Sequence, residues 1–128
     1  MQDKTSGINH IEFWVSNLAR CVKFYSPIFA ALGWRKMSDT EFSSGSTMFY
    51  FVEKPVHQAN SAGPRHICFQ ATSRKTVEAV AKILAQHHAN VLRGPVEMPD
   101  YSKGYYTVDF RDPDGYVMEV AHTPNMSF

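Results

Sequence analysis

Three side chains in this sequence stand out by type and setting. His10 opens the segment HIEFWV, His66 opens HICFQ, and Glu119 interrupts the apolar run VMEVA near the end of the chain. Two neutral imidazoles and one carboxylate are the donor set of a facial metal site, which leaves coordination positions open for substrate or water. A divalent ion held in that way polarises a carbonyl, stabilises an enolate oxygen or, if it is iron, binds dioxygen. The competing reading is structural: the histidines bond to backbone carbonyls within strands, and Glu119 reaches solvent. Glu119 makes the choice matter, because an unpaired carboxylate costs several kcal/mol or more to bury.

An internal repeat positions these residues. NHIEFWVSNLARCVKFYSPIF lies over RHICFQATSRKTVEAVAKILA at an offset of 56, which sets His10 on His66, Ile11 on Ile67 and Phe13 on Phe69. Each copy reads as a strand, a polar cap and an amphipathic helix. Alternation of Ile11, Phe13 and Val15 marks the strand, and Asn17 and Ser73 are suited to accept from the first helical amides. Leu18, Val22, Tyr25 and Phe29 form one apolar stripe; Val77, Val80, Ala81 and Leu84 form the other. Gly33 is a plausible stop for the first helix, and Pro27 predicts a kink or an early end. Strand patterns follow at Trp34 to Met37, Thr47 to Val52, Asn90 to Leu92, Tyr105 to Phe110 and Tyr116 to His122. Setting Gly45 on Gly115 puts Phe49 in the place of Glu119 and assigns the extra length of the second copy to a loop, RGPVEMPDYSKG.

The predicted class is therefore α+β: two βαβββ modules, at 8–54 and 64–124 of a single 1–128 domain, forming a curved mixed sheet with helices on the outside. Neither module alone buries enough surface to be comfortably stable. Alternation places His10, Glu12, His66, Gln70, Tyr105, Asp109 and Glu119 on the sheet face away from the helices.

Each further candidate carries two readings. Glu12 is a general base or a carboxylate that orients a ligand histidine. Asp109 is a pocket acid or the partner of Arg111 or Arg65. Tyr105 donates to a substrate oxygen or packs at a pocket mouth. Trp14, Phe49 and Phe51 are cavity walls or core. His122 reads as structural, His87 and His88 as residues near the end of the second helix, and His57 reaches a site only if its connecting loop folds over it.

The bulk numbers exclude several classes. Thirteen basic side chains against twelve acidic ones leave no basic stripe for nucleic acid. Apolar runs fall short of the ~18 residues of a membrane span, and the first residues lack a signal-peptide core. Cys21 and Cys68 lack CxxC spacing and read as reduced thiols, so the expected location is the cytoplasm.

NHIEFWVSNLARCVKFY, RHICFQ and YYTVDFRDPDGYVMEV resemble the vicinal-oxygen-chelate superfamily over about Ile8 to Thr123, and the DPDG-x-x-x-E ending is the most specific part. This is the group of glyoxalase I, the fosfomycin- and bleomycin-resistance proteins and the extradiol dioxygenases. The resemblance implies metal ligands at His10, His66 and Glu119, a divalent cofactor (Zn, Mn, Fe, Ni or Co), a small oxygen-rich substrate and a homodimer. Glu12, Asp109 and Tyr105 are then the first candidates for catalysis. Glyoxalase I has a fourth protein ligand, a carboxylate or amide, where Phe49 is matched here. The fosfomycin branch has threonine where Glu12 stands. The alternative the resemblance allows is a metal-free sequestering protein of the bleomycin-resistance type.

Overall fold

The computed structural model describes residues 6–56 and 63–127. They fall into two compact units, Met1–Val56 and His57–Phe128. The first contains β1 (His10–Val15), α1 (Leu18–Ala31), β2 (Arg35–Lys36), β3 (Glu41–Ser43) and β4 (Met48–Glu53). The second contains β5 (His66–Gln70), α2 (Arg74–Gln86), β6 (Asn90–Glu97), β7 (Tyr106–Arg111) and β8 (Val117–His122). Both are βαβββ modules, as the repeat predicts. Hydrogen bonding gives each its own four-stranded mixed sheet, in the orders β1-β4-β3-β2 and β5-β8-β7-β6. In both sheets the opening strand runs parallel to the closing strand, and the other pairs are antiparallel.

The helices start where the cap residues predict. Asn17 Oδ1 accepts from the Arg20 amide at 2.9 Å, and Ser73 Oγ accepts from that of Thr76 at 3.2 Å. They also end alike. Gly33 sits at φ 81°, while the Trp34 amide donates to the Phe29 carbonyl at 2.9 Å and the Gly33 amide to Ala30 at 3.1 Å. In the second unit His88 takes the left-handed place at φ 53°, with Ala89 donating to Leu84 at 2.9 Å and His88 to Ala85 at 3.1 Å. Both are Schellman closures, which use up carbonyls that the helix leaves unpaired. The early end expected at Pro27 does not occur, since α1 continues to Ala31. Proline removes one amide, and the helix tolerates that loss near its end because Ile28 and Phe29, just beyond it, are buried.

Each helix covers one face of its sheet. In the first unit the core is aromatic: Tyr25 stacks on Phe51 with centroids 4.9 Å apart, and Phe29 on Phe42 at 4.6 Å. Phe49 is buried with them, so Phe49 and Phe51 are core residues. In the second unit the core is mainly aliphatic, built from Val77, Val80, Leu84, Val108, Met118 and Val120 around Phe69 and Phe110.

The segment RGPVEMPDYSKG is only partly loop. β6 continues through Arg93 to Glu97, with register shifts around Gly94 and Pro95. Gly94 has φ 91°, and a Cβ there would collide with the Thr107 carbonyl on β7. Glycine therefore lets β6 lie close against the strand that carries Tyr106 to Arg111, and it brings Arg93 opposite Asp109.

Candidate functional site

In the second unit Glu119 is the centre. Its relative exposure is 5%, yet the carboxylate is well supplied with partners. Tyr105 donates its hydroxyl to Oε2 at 2.7 Å, and Thr107 donates to the same oxygen, also at 2.7 Å. The other oxygen, Oε1, lies 3.2 Å from His66 Nε2. Tyr105 immediately precedes β7, Thr107 and Asp109 lie on it, and Glu119 lies on the neighbouring β8, where Thr107 pairs with Ala121 and Asp109 with Glu119. Residues two apart on an extended chain share a face, so Tyr105, Thr107 and Asp109 fall on the face of Glu119. This resolves how an apolar strand carries a carboxylate: charge-assisted hydrogen bonds offset the cost of leaving water.

Arg65 Nη1 lies 2.9 Å from His66 Nδ1. A guanidinium can only donate, so Nδ1 is the acceptor and the ring proton sits on Nε2, facing Glu119. Asp109 is bound by Arg93, whose Nη2 lies 2.8 Å from Oδ2. This partner is Arg93, not Arg111 or Arg65; Arg111 instead donates to the Gly115 carbonyl at 2.8 Å. Burial, then the neighbouring Glu119 charge, pushes the Asp109 carboxyl above its ordinary range and outweighs the opposing pull of Arg93. Burial followed by the bond to Glu119 also raises the Tyr105 phenol. Cys68 pairs with Glu119 across β5 and β8. It retains exposed surface, but crowding of its thiol by protein, then the Glu119 charge, pushes it up to about 12. It is therefore a neutral thiol, unsuited to attack.

The first unit holds its own set on β1 and β4. His10 Nδ1 lies 2.8 Å from Asn9 Oδ1; that oxygen can only accept, so Nδ1 donates and Nε2 keeps its lone pair. Glu12 accepts from Trp14 Nε1 at 2.7 Å and from the Tyr50 hydroxyl at 3.1 Å. These two bonds, led by Trp14, hold its exposed carboxyl below the ordinary value. Trp14 is half-exposed, with the Lys54 ammonium 5.8 Å from its ring centre. Among the described residues, no group of three or more His, Cys, Asp and Glu side chains is gathered so as to hold a metal ion.

A family model of the Glyoxalase/Bleomycin resistance protein/Dioxygenase superfamily matches residues 7–120. The chain belongs to that superfamily. Solved structures share the fold of this glyoxalase-superfamily chain. A glyoxalase/bleomycin resistance protein from Albidiferax ferrireducens T118 aligns with a TM-score of 0.72 and 21% identity, covering 91% of this chain and 98% of that one. A glyoxylase/bleomycin resistance protein/dioxygenase domain from Frankia sp. EAN1pec gives 0.72 and 20%, over 94% and 99% of the two chains. A lactoylglutathione lyase from Agrobacterium tumefaciens gives 0.65 and 21%, over 98% and 100%.

The strand register corrects one correspondence drawn from the repeat. His10 pairs with Met48 and His66 with Val117, so Glu12 faces Tyr50 as Cys68 faces Glu119. Tyr50, not Phe49, stands where Glu119 stands. The glycine turns misled the alignment because the connection after Gly45 is one residue longer than that after Gly115. The position at which glyoxalase I was expected to carry a fourth carboxylate or amide ligand thus holds a phenol, bonded to Glu12.

Two residues of the second-unit cluster were missed as candidates. Thr107 alternates with Tyr105 and Asp109, a pattern that already put it on the right face. Arg93 gave no such signal, because its segment read as loop. His122 is structural, with Nδ1 3.4 Å from the Ala71 carbonyl. His87 caps α2 and His88 follows it in the left-handed conformation. His57 lies outside the described residues.

Proposed function

We propose that this chain is a metal-dependent enzyme of the glyoxalase superfamily, acting on a small oxygen-rich molecule chelated through vicinal oxygens. The observation that carries the reading is the Glu119 carboxylate, buried with one oxygen held by two hydroxyls and the other turned toward His66 Nε2 at 3.2 Å. A nitrogen and a carboxylate oxygen suit Zn, Mn, Fe, Ni or Co. His66 and Glu119 would hold the ion once the ring proton that the Arg65 contact keeps on His66 Nε2 has left that nitrogen. His10 is the third donor on the strength of the repeat and of its Nδ1 proton, which leaves Nε2 free to coordinate.

When bound, such an ion supplies Lewis-acid polarisation of a substrate oxygen. The remaining work falls to side chains of this chain. Glu12 is the proposed proton acceptor, an exposed carboxylate two residues after His10 on the same face of β1. Asp109 is the proposed proton carrier, with Arg93 fixing its orientation. We place the protein in the cytoplasm as a homodimer; sedimentation as a monomer at micromolar concentration would remove the dimer. Among the described residues no helix is long and apolar enough to cross a membrane.

A second reading, a metal-free protein that sequesters a planar ligand, is favoured by the His66–Glu119 contact, which satisfies both groups without an ion. Metal analysis of protein purified without chelator separates the two. Wild type should carry a divalent ion that His66→Ala and Glu119→Gln lose. Wild type that carries none and cannot be loaded leaves the sequestering protein.

A further inference from the structure

We infer that the open face of the first sheet binds small organic cations with a flat apolar body, such as arylalkylammonium ions, with Glu12 as the counter-charge and Trp14 and Tyr50 as flanking rings. The inference goes beyond both readings above: it concerns the first unit alone and stands whether or not Glu119 holds an ion.

Strand register assembles this face. Glu12 on β1, Tyr50 on β4 and Glu41 on β3 are direct cross-strand partners, so they form one row across three strands. The backbones of the two acids are then about 9–10 Å apart, with the phenol between them. Trp14 pairs with Val52 in the next row on one side, and His10 with Met48 on the other. Trp14 is 49% exposed, and its indole N–H, donated to Glu12 at 2.7 Å, fixes the ring beside the carboxylate.

Charge selects the ligand. β1, β3 and β4 carry Glu12, Glu41 and Glu53 but no Lys or Arg. Glu53 is turned to α1, where it accepts from the Leu18 amide at 3.0 Å, which leaves Glu12 and Glu41 on the open face. A carboxylate offers about four lone-pair sites. Glu12 gives one to Trp14 and one to Tyr50, and the rest are open because the residue is exposed. An ammonium group donates there without breaking either bond, while aromatic faces attract its charge. The molecule already shows this preference: Lys54, the residue after β4, places its ammonium 5.8 Å from the centre of the Trp14 ring. An anion is repelled by both carboxylates, and a neutral ring forgoes the charge-assisted bond.

The test is an NMR titration of isotope-labelled protein with phenethylammonium, 2-phenylethanol and phenylacetate, which present one ring with positive, zero and negative charge. The amides of β1 and β4 and the Trp14 indole N–H are followed. Phenethylammonium should shift these resonances to saturation and bind about fivefold tighter than 2-phenylethanol, with phenylacetate weakest. Glu12→Gln should bring the ammonium down to the level of 2-phenylethanol and leave 2-phenylethanol itself unchanged. Trp14→Leu should weaken the ammonium about two- to fivefold. Both side chains are exposed, and thermal melts check that the variants fold. The inference is overturned if the three probes bind alike, or if none of them shifts the β1 and β4 resonances. It is also overturned if Glu12→Gln binds phenethylammonium as tightly as wild type, because the carboxylate is then not the counter-charge.

Discussion

The two modules share one architecture and differ in where they keep their charge. The first carries its carboxylate on the opening strand, at Glu12, exposed and with one donor on each oxygen. The second carries it on the closing strand, at Glu119, buried and with both donors on one oxygen. Their histidines differ as well. His10 has its proton on the nitrogen facing Asn9, whereas the Arg65 contact leaves the His66 proton on the nitrogen facing Glu119. Duplication thus preserves strand order, caps and helix closures, while single substitutions on one sheet face give the halves different chemistry. The second module holds a prearranged acid; the first offers an open face.

The largest expected effect separates the glycines of the two modules. Gly94→Ala combines a positive φ with a collision against the Thr107 backbone, and should cost about 3 kcal/mol or more. Gly33→Ala meets open space and only the strain of φ 81°, so it should cost about 1 kcal/mol. Urea midpoints check both. Equal losses would mean that β6 does not depend on its close approach to β7.

The carboxyls supply a second contrast, in the sign of their pH dependence. The folded Asp109 carboxyl lies above its ordinary 3.8, so folding takes up a proton between the two values. Stability therefore falls as pH rises through that window. Glu12 lies below its ordinary 4.5, so its contribution is present above that value and is lost as pH falls through the folded one. Urea midpoints collected across the acid range should show Asp109→Asn and Glu12→Gln changing the pH slope in opposite directions. Changes of the same sign would contradict the account of one site or the other.

A smaller difference lies at the helix ends. His88 occupies a left-handed position that Gly33 fills at lower cost in the first module. His88→Gly should stabilise the protein by about 0.5–1 kcal/mol, read as a higher melting temperature. The smallest concerns metal affinity. Arg65→Ala frees His66 Nδ1 to take the ring proton and Nε2 to coordinate, and should tighten Co2+ binding about two- to fivefold by removing an exposed contact.

Much of this was legible in the sequence. The repeat, its period-two strands and its polar caps are local signals, and Asn17, Ser73 and Gly33 act where they were read. The face shared by Tyr105, Asp109 and Glu119 followed from alternation alone. Three things were not legible, for separate reasons. Pro27 looked like a break because propensity ignores the core residues that anchor the last turn. Tyr50 was displaced by Phe49 because turn glycines do not report the length of the connection that follows them. Arg93 was hidden because a strand bent at Gly94 and Pro95 loses its alternation, and its pairing with Asp109 is a matter of register between strands. The ionic partner of a buried acid is the least local of these facts.

The central claim, that Glu119 Oε1 and His66 Nε2 are ligands to one ion, is tested most directly by anomalous diffraction from crystals of metal-loaded protein. The account predicts a peak within roughly 2.0–2.2 Å of both atoms, with Tyr105 and Thr107 still on Oε2. A Glu119–His66 contact left intact, with no peak between the two side chains, would contradict it.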